Sequence, residues 1–146
     1  LDFVKFLYEE YPKCVTVNNR TEKGEESCIS YLCKNPTAYD VLKDILQRFP
    51  GIDFDATDFR GNTLLHDVCK TKNIMMVKLL LNHAGDSFRI NQINRWGQTP
   101  FLIAIKNNSP EIARLLIEHY GVENINLGVE DTKGMTPFLW SVKRGM

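Results

Sequence analysis

The sequence offers little from which an active site could be built. Its 146 residues contain no P-loop, no G-x-G-x-x-G and no H-E-x-x-H. The four cysteines, Cys14, Cys28, Cys33 and Cys69, follow no C-x-x-C spacing, and His66, His83 and His119 sit in separate segments. The spacing of a zinc site is therefore missing, and no metal or cofactor is expected. No run approaches the roughly 18 apolar residues that a spanning helix needs, so direct membrane contact is not expected, and the N-terminus lacks the basic-then-apolar layout of a signal peptide. As the chain starts at Leu1, a targeting segment ahead of it stays open. Charge of one sign is missing too: 18 basic residues meet 18 acidic ones, which argues against strong nonspecific binding to duplex nucleic acid. What remains, 43% hydrophobic and 25% charged, is the composition of a soluble globular domain. Cys28, Cys33 and Cys69 fall in apolar helical patterns, where free cysteine acts as a small buried hydrophobe. This predicts a reducing, intracellular setting, cytoplasmic or nuclear, in which the Asn107-Asn108-Ser109 sequon is idle.

The sequence does contain a repeat. "DFRGNTLLHDVCK" from Asp58, "NRWGQTPFLIAIK" from Asn94 and "DTKGMTPFLWSVK" from Asp131 superpose without gaps, placing Gly61, Gly97 and Gly134 at intervals of 36 and 37 residues. A weaker copy, "TEKGEESCISYLCK" from Thr21, fits with one inserted residue. The second half of each unit recurs as "YDVLKDILQRF", "MMVKLLLNHAG" and "EIARLLIEHYG", each with apolar residues at helical spacing. "LDFVKFLYEEYP" at the N-terminus matches this second half, and "TPFLWSVKRGM" at the C-terminus is a first half alone. The chain thus reads as one array over 1–146 cut from a longer one. It comprises the second half of a repeat (1–20), three repeats (21–57, 58–93 and 94–130) and the first half of another (131–146).

Each unit follows from its letters. In the D/N-x-x-G tetrad, Asp or Asn bonds the backbone just ahead and glycine takes a positive φ without steric cost. Thr63, Thr99 and Thr136 offer N-cap oxygens, and Pro100 and Pro137 occupy the first helical position, where the absent N–H is harmless. Ser109-Pro110-Glu111 predicts a second capped helix, and Thr37-x-x-Asp40 predicts a capping box with Asp in place of Glu. Two short helices cannot bury their apolar faces alone, so stacking of units must supply the core.

With T-L-L-H and T-P-F-L after a D-x-x-G turn, followed by "VKLLL" and "ARLLI", the chain resembles the ankyrin repeat family. The resemblance implies an all-α solenoid of stacked helix-turn-helix units joined by β-hairpin-like loops. Two departures stand out. Units run 36–37 residues instead of about 33, and only His66 keeps the motif histidine, with Ser30, Leu102 and Leu139 in its place. The family's histidine bonds backbone near the helix start, and the same is expected of His66. A catalytic pairing of His66 with Asp67 or Cys69 is disfavoured, because adjacent helical residues point apart and no third group has motif spacing.

Arrays of this family generally bind proteins through the hairpin tips and the exposed ends of the first helices, which line a concave face. Those positions here are Phe59, Arg60, Asn62, Lys70 and Thr71; Arg95, Trp96, Gln98, Lys106 and Asn107; and Thr132, Lys133, Met135, Lys143 and Arg144. Seven are basic and none is acidic, whereas the first unit is mixed, with Glu22, Lys23, Glu25, Glu26 and Lys34. Lys34, Lys70, Lys106 and Lys143 form a ladder with one lysine per unit. Helix dipoles alone could account for a lysine there, but they do not account for the second basic row, Lys23, Arg60, Arg95 and Lys133, at the tips. Acidic residues elsewhere, among them Glu9, Glu10, Asp53, Asp55, Glu111 and Glu118, must balance this face, giving a molecule polarised to steer an acidic partner. Trp96 beside Arg95 has the residue type of an interface anchor, with Phe59 a neighbour able to pair with it, while Trp140 is assigned to the core. The expected function is a non-catalytic scaffold binding an acidic or phosphorylated protein segment. The alternatives are nucleotide or nucleic-acid recognition by the same face and a structural spacer within a larger protein. Exposed apolar ends could also drive self-association.

Overall fold

A computed structural model of the chain describes residues 2–10 and 27–146. The first predicted turn, with Glu22, Lys23, Glu25 and Glu26, and also Cys14, lie outside the described residues. First helices α2 (Cys28–Lys34), α4 (Leu64–Thr71), α6 (Pro100–Lys106) and α8 (Pro137–Arg144) alternate with second helices α1 (Asp2–Glu10), α3 (Tyr39–Arg48), α5 (Ile74–Ala84) and α7 (Pro110–Tyr120). The first helices stack as α2, α4, α6, α8 and the second helices as α3, α5, α7, with α2, α4 and α6 each also packed on the second helix of its own unit. Lys5–Asp44 and Arg48–Glu9, at 3.8 Å each, tie α1 to α3. The core runs continuously between the two layers: Leu42, Leu65, Leu80, Leu102 and Leu116 are fully buried, and each such side chain contributes about 1.5–3 kcal/mol relative to exposure.

The hairpins have the geometry that their letters predict. Asp58 Oδ1 accepts from the N–H of Arg60 and Asn62 at 2.9 and 2.7 Å. Asn94 does the same for Trp96 and Gln98, and Asp131 for Lys133 and Met135, all within 3.1 Å. Gly61, Gly97 and Gly134 sit at φ 77°, 68° and 69°. The added residues of the connections leave this geometry intact and form rungs of their own. Arg89 pairs with Asp55 at 3.1 Å, and Asn91 bonds the backbone of Asn124 and Asn126 at 2.8 Å.

Thr63, Thr99 and Thr136 cap α4, α6 and α8, and Ser27 caps α2 in the same way. Two predicted caps fail. Thr37 donates instead to the side chain of Asn35, leaving Ala38 as the N-cap of α3 without a side-chain bond. Ser109 holds the N-cap position of α7, but its hydroxyl is turned inward and finds no hydrogen-bond partner. Cys33 and Cys69 are buried, and burial pushes both thiols up in pKa, whereas Cys28 is exposed, contrary to its assignment to the core. Apolar surface is exposed at both ends, on Phe3 and Phe6 of α1 and on Phe138, Leu139 and Val142 of α8. No described helix is long and apolar enough to cross a membrane.

Candidate functional site

The tips are joined through their backbones. Arg95 N–H donates to Arg60 O at 2.9 Å and Thr132 N–H to Trp96 O at 3.0 Å, so successive tips form a row. Glycine permits the contact. A Cβ on Gly97 would meet Glu130 O at 2.7 Å, and one on Gly61 would meet Asn94 Cα at 3.2 Å. On this row Phe59 lies between two guanidiniums, Arg60 at 4.9 Å and Arg95 at 5.9 Å from its ring centre, geometry suited to cation–π attraction. Trp96 is 41% exposed and Phe59 40%. Among the described residues Phe59 contacts these arginines instead of pairing with Trp96.

Two residues predicted for this face point inward. Gln98 is 7% and Asn62 3% exposed, because their amides meet Asn94 between adjacent hairpins, Asn94 Nδ2 donating to Asn62 Oδ1 at 3.0 Å and to Gln98 Oε1 at 3.4 Å. Buried amides must find partners, and here Asn94 serves Asn62 from the next unit and Gln98 within its own hairpin. Gln98 therefore leaves the candidate surface as a correction. Lys133 and Arg144 are exposed, and Asn107, the C-cap of α6, is half-buried.

His66 behaves as the resemblance implies. Thr63 N–H donates to Nδ1 at 3.1 Å, so the proton resides on Nε2, which donates to Gln98 O of the next hairpin at 3.0 Å. Burial lowers its pKa to about 4, keeping it neutral. Such a histidine is a bracket between units and has no free nitrogen for acid–base work.

The lysine ladder divides in two. Asp67, its side chain 2% exposed, stands between Lys34 at 3.5 Å and Lys70 at 3.6 Å, and accepts the Ser30 hydroxyl at 2.7 Å. Burial raises its carboxyl, against the hydrogen bond from Ser30 and the two cations. Lys70 is lowered, first by burial, with Asp67 opposing. Both lysines are therefore held by a carboxylate, which neither a helix dipole nor an open anion site describes. At the other end Lys106, Lys143 and Arg144 surround the buried ring of Trp140 at 5.3, 5.0 and 5.5 Å. Trp140 is in the core as expected, and its indole N–H donates to Asp131 Oδ2 at 3.0 Å. Burial acts to raise the Asp131 carboxyl, but the N–H groups of Lys133, Met135 and Trp140 and the charge of Lys106 outweigh it and hold it below the ordinary value.

The sequence reading missed the Asp67 node. Its signal was present in register, since Tyr31, Asp67, Ile103 and Trp140 share one position of the repeat and Asp67 is the single acid among them.

Comparison with known proteins agrees with this geometry. The sequence matches the family described as "Ankyrin repeats (3 copies)" over residues 29–129 and 87–146. The chain belongs to the ankyrin repeat family. It is 30% identical over 131 residues to the SMC5-SMC6 complex localization factor protein 1 of Bos taurus and 29% to that of Homo sapiens, each match covering 88% of this chain and 12% of the relative. An ankyrin repeat protein of Rickettsia bellii is 29% identical over 119 residues, covering 82% of this chain and 61% of that protein. This ankyrin array thus spans about an eighth of the length of its mammalian relatives. Ankyrin repeats generally mediate protein–protein interaction, and the family is generally non-catalytic.

Proposed function

We propose that this ankyrin array is a non-catalytic scaffold that binds an acidic or phosphorylated segment of another protein on the face built from its hairpin tips and first-helix ends. The observation that carries this reading is a set of unspent charges. Arg60, Arg95, Lys106, Lys133, Lys143 and Arg144 join no ion pair among the described residues; Lys43, Lys78 and Arg114 of the second helices and Lys72 beyond α4 join none either, so what marks the face is that six such cations gather on the tips and first-helix ends. Complementary charge at such a face raises association rate and fixes partner choice more than it adds raw affinity. Half-exposed Phe59 and Trp96 supply the aromatic surface from which interface anchors are drawn. The mammalian relatives are named for localising an SMC5-SMC6 complex; a docking array of the same kind in this chain, acting inside the cell in cytoplasm or nucleus, fits that role. The same exposed Trp96 favours a second reading, in which the indole stacks on a nucleobase and the cations meet phosphates.

Affinity capture from cell lysate, comparing the parent with an Arg95→Glu, Lys106→Glu, Lys143→Glu variant of matched circular dichroism, tests the proposal. A defined protein held by the parent and lost by the variant supports it. Capture of RNA, released steeply as salt rises, favours the second reading. Identical capture by both proteins removes this face from the function.

A further inference from the structure

The four ladder lysines are one residue type at one position of the repeat, yet their neighbours set them apart. Lys34 and Lys70 pair with Asp67, and Lys106 and Lys143 lie against the ring of Trp140, which occupies the same place two units later. A carboxylate at ion-pair distance cancels charge. An aromatic face attracts a cation through its quadrupole but leaves the charge intact and takes up little of its hydrogen-bonding capacity. The first pair is thus closed to an incoming anion, and the second is held in place but open.

The local balance points the same way. Around Asp67, two lysines meet two carboxylates, Asp67 and the hairpin's Asp58, both of which act on Lys70. Around Trp140, Lys106, Lys143 and Arg144 form no ion pair among the described residues, and the neighbouring carboxylate, Asp131, is committed: Oδ1 takes the N–H of Lys133 and Met135, and Oδ2 takes the indole N–H. All three cations lie within 5.5 Å of one ring centre. Lys143 and Arg144 are exposed and Lys106 is half-buried, so their donors reach solvent from a buried platform.

We propose that Lys106, Lys143 and Arg144, gathered on Trp140, form a phosphate-binding subsite that receives a phosphoserine or phosphothreonine side chain of a protein segment, and that Lys34 and Lys70 take no part. This rests on the reading of the face as one that binds a protein segment, and it says where on the face and through which group. A phosphate monoester near neutral pH carries close to two charges and three acceptor oxygens, which calls for several cations, and three are gathered within 5.5 Å of one ring centre here. The planar fork of Arg144 suits two of those oxygens and the ammoniums act as point charges on the third. A lone carboxylate offers fewer acceptors and half the charge.

The test uses immobilised degenerate peptide libraries with phosphoserine, serine or glutamate at one fixed position, and a single-stranded RNA oligonucleotide as a fourth surface. Retention and affinity are read on the parent chain, and emission is read at saturating peptide on a Trp96→Phe chain, in which Trp140 is the sole tryptophan. The expected result is retention on the phosphoserine library over both others, with a change in Trp140 emission. Affinity should fall about tenfold or more in a Lys143→Gln, Arg144→Gln variant of unchanged melting temperature. An Arg114→Gln variant, changed at an exposed residue of α7, should bind as the parent does. Equal retention on the glutamate library, or binding lost only on Arg60→Gln, Arg95→Gln substitution, overturns the subsite and leaves the broader protein-binding reading standing. Retention on no peptide library, or on RNA alone, overturns both.

Discussion

Asp67 Oδ2 accepts the hydroxyl of Ser30 at 2.7 Å across 37 residues of sequence. A buried carboxylate of one unit is thus held by a side chain of the unit before it, with a lysine from each unit completing the node. The order in which its parts are removed should matter. Asp67→Ala leaves two lysines about a third exposed, which can rehydrate, so the cost should be about 2 kcal/mol. Lys34→Met with Lys70→Met strands the buried carboxylate and should cost more, about 3–5 kcal/mol near neutral pH. Because the folded pKa of Asp67 is raised above 3.8, the folded state holds this proton more tightly. That double variant should therefore regain stability as the pH falls through the carboxyl's folded pKa. Urea denaturation of the three proteins at two pH values reads both effects, and equal costs would refute the asymmetry.

His66 imposes the opposite slope. Its pKa falls from 6.5 in the unfolded chain to about 4 in the fold. Between those values the unfolded state takes up a proton that the folded state refuses, so stability drops as pH falls from 6.5 toward 4, by about 3 kcal/mol in all. His66→Leu, which copies Leu102 and Leu139 at the equivalent place, should start lower at pH 7, because Thr63 N–H and Gln98 O lose their partner. Over the same window it should lose this component of the slope. A melting-temperature series from pH 7 to 4 on both proteins decides it.

Gly97 and Gly134 share a backbone conformation, φ 68° and 69°, but only Gly97 lies against another hairpin. Gly134→Ala should cost only the left-handed strain, about 1 kcal/mol. Gly97→Ala must also displace Glu130 O, 2.7 Å from the added Cβ, and should be the more damaging. Comparable denaturation midpoints would show that the tip contact yields freely.

The sequence was legible where an interaction spans three or four residues. Thr63, Thr99 and Thr136 each cap a helix through the N–H three positions on, and Asp58, Asn94 and Asp131 each close their own turn. Thr37 was misread because Asn35, two residues back, competes for its hydroxyl, and Ser109 because its side chain faces the core. Asn62, the Asp67 node and Lys106 on Trp140 were illegible for a different reason. Each depends on what the adjacent unit places opposite, and a repeat read one copy at a time does not show it.

The backbone bonds between tips carry a mechanical consequence. Arg60 to Arg95 and Trp96 to Thr132 fasten the tip edge with directional bonds at close backbone approach. A segment lying along the tips would meet rungs whose spacing the backbone itself sets, so the tips would serve it as a ruler.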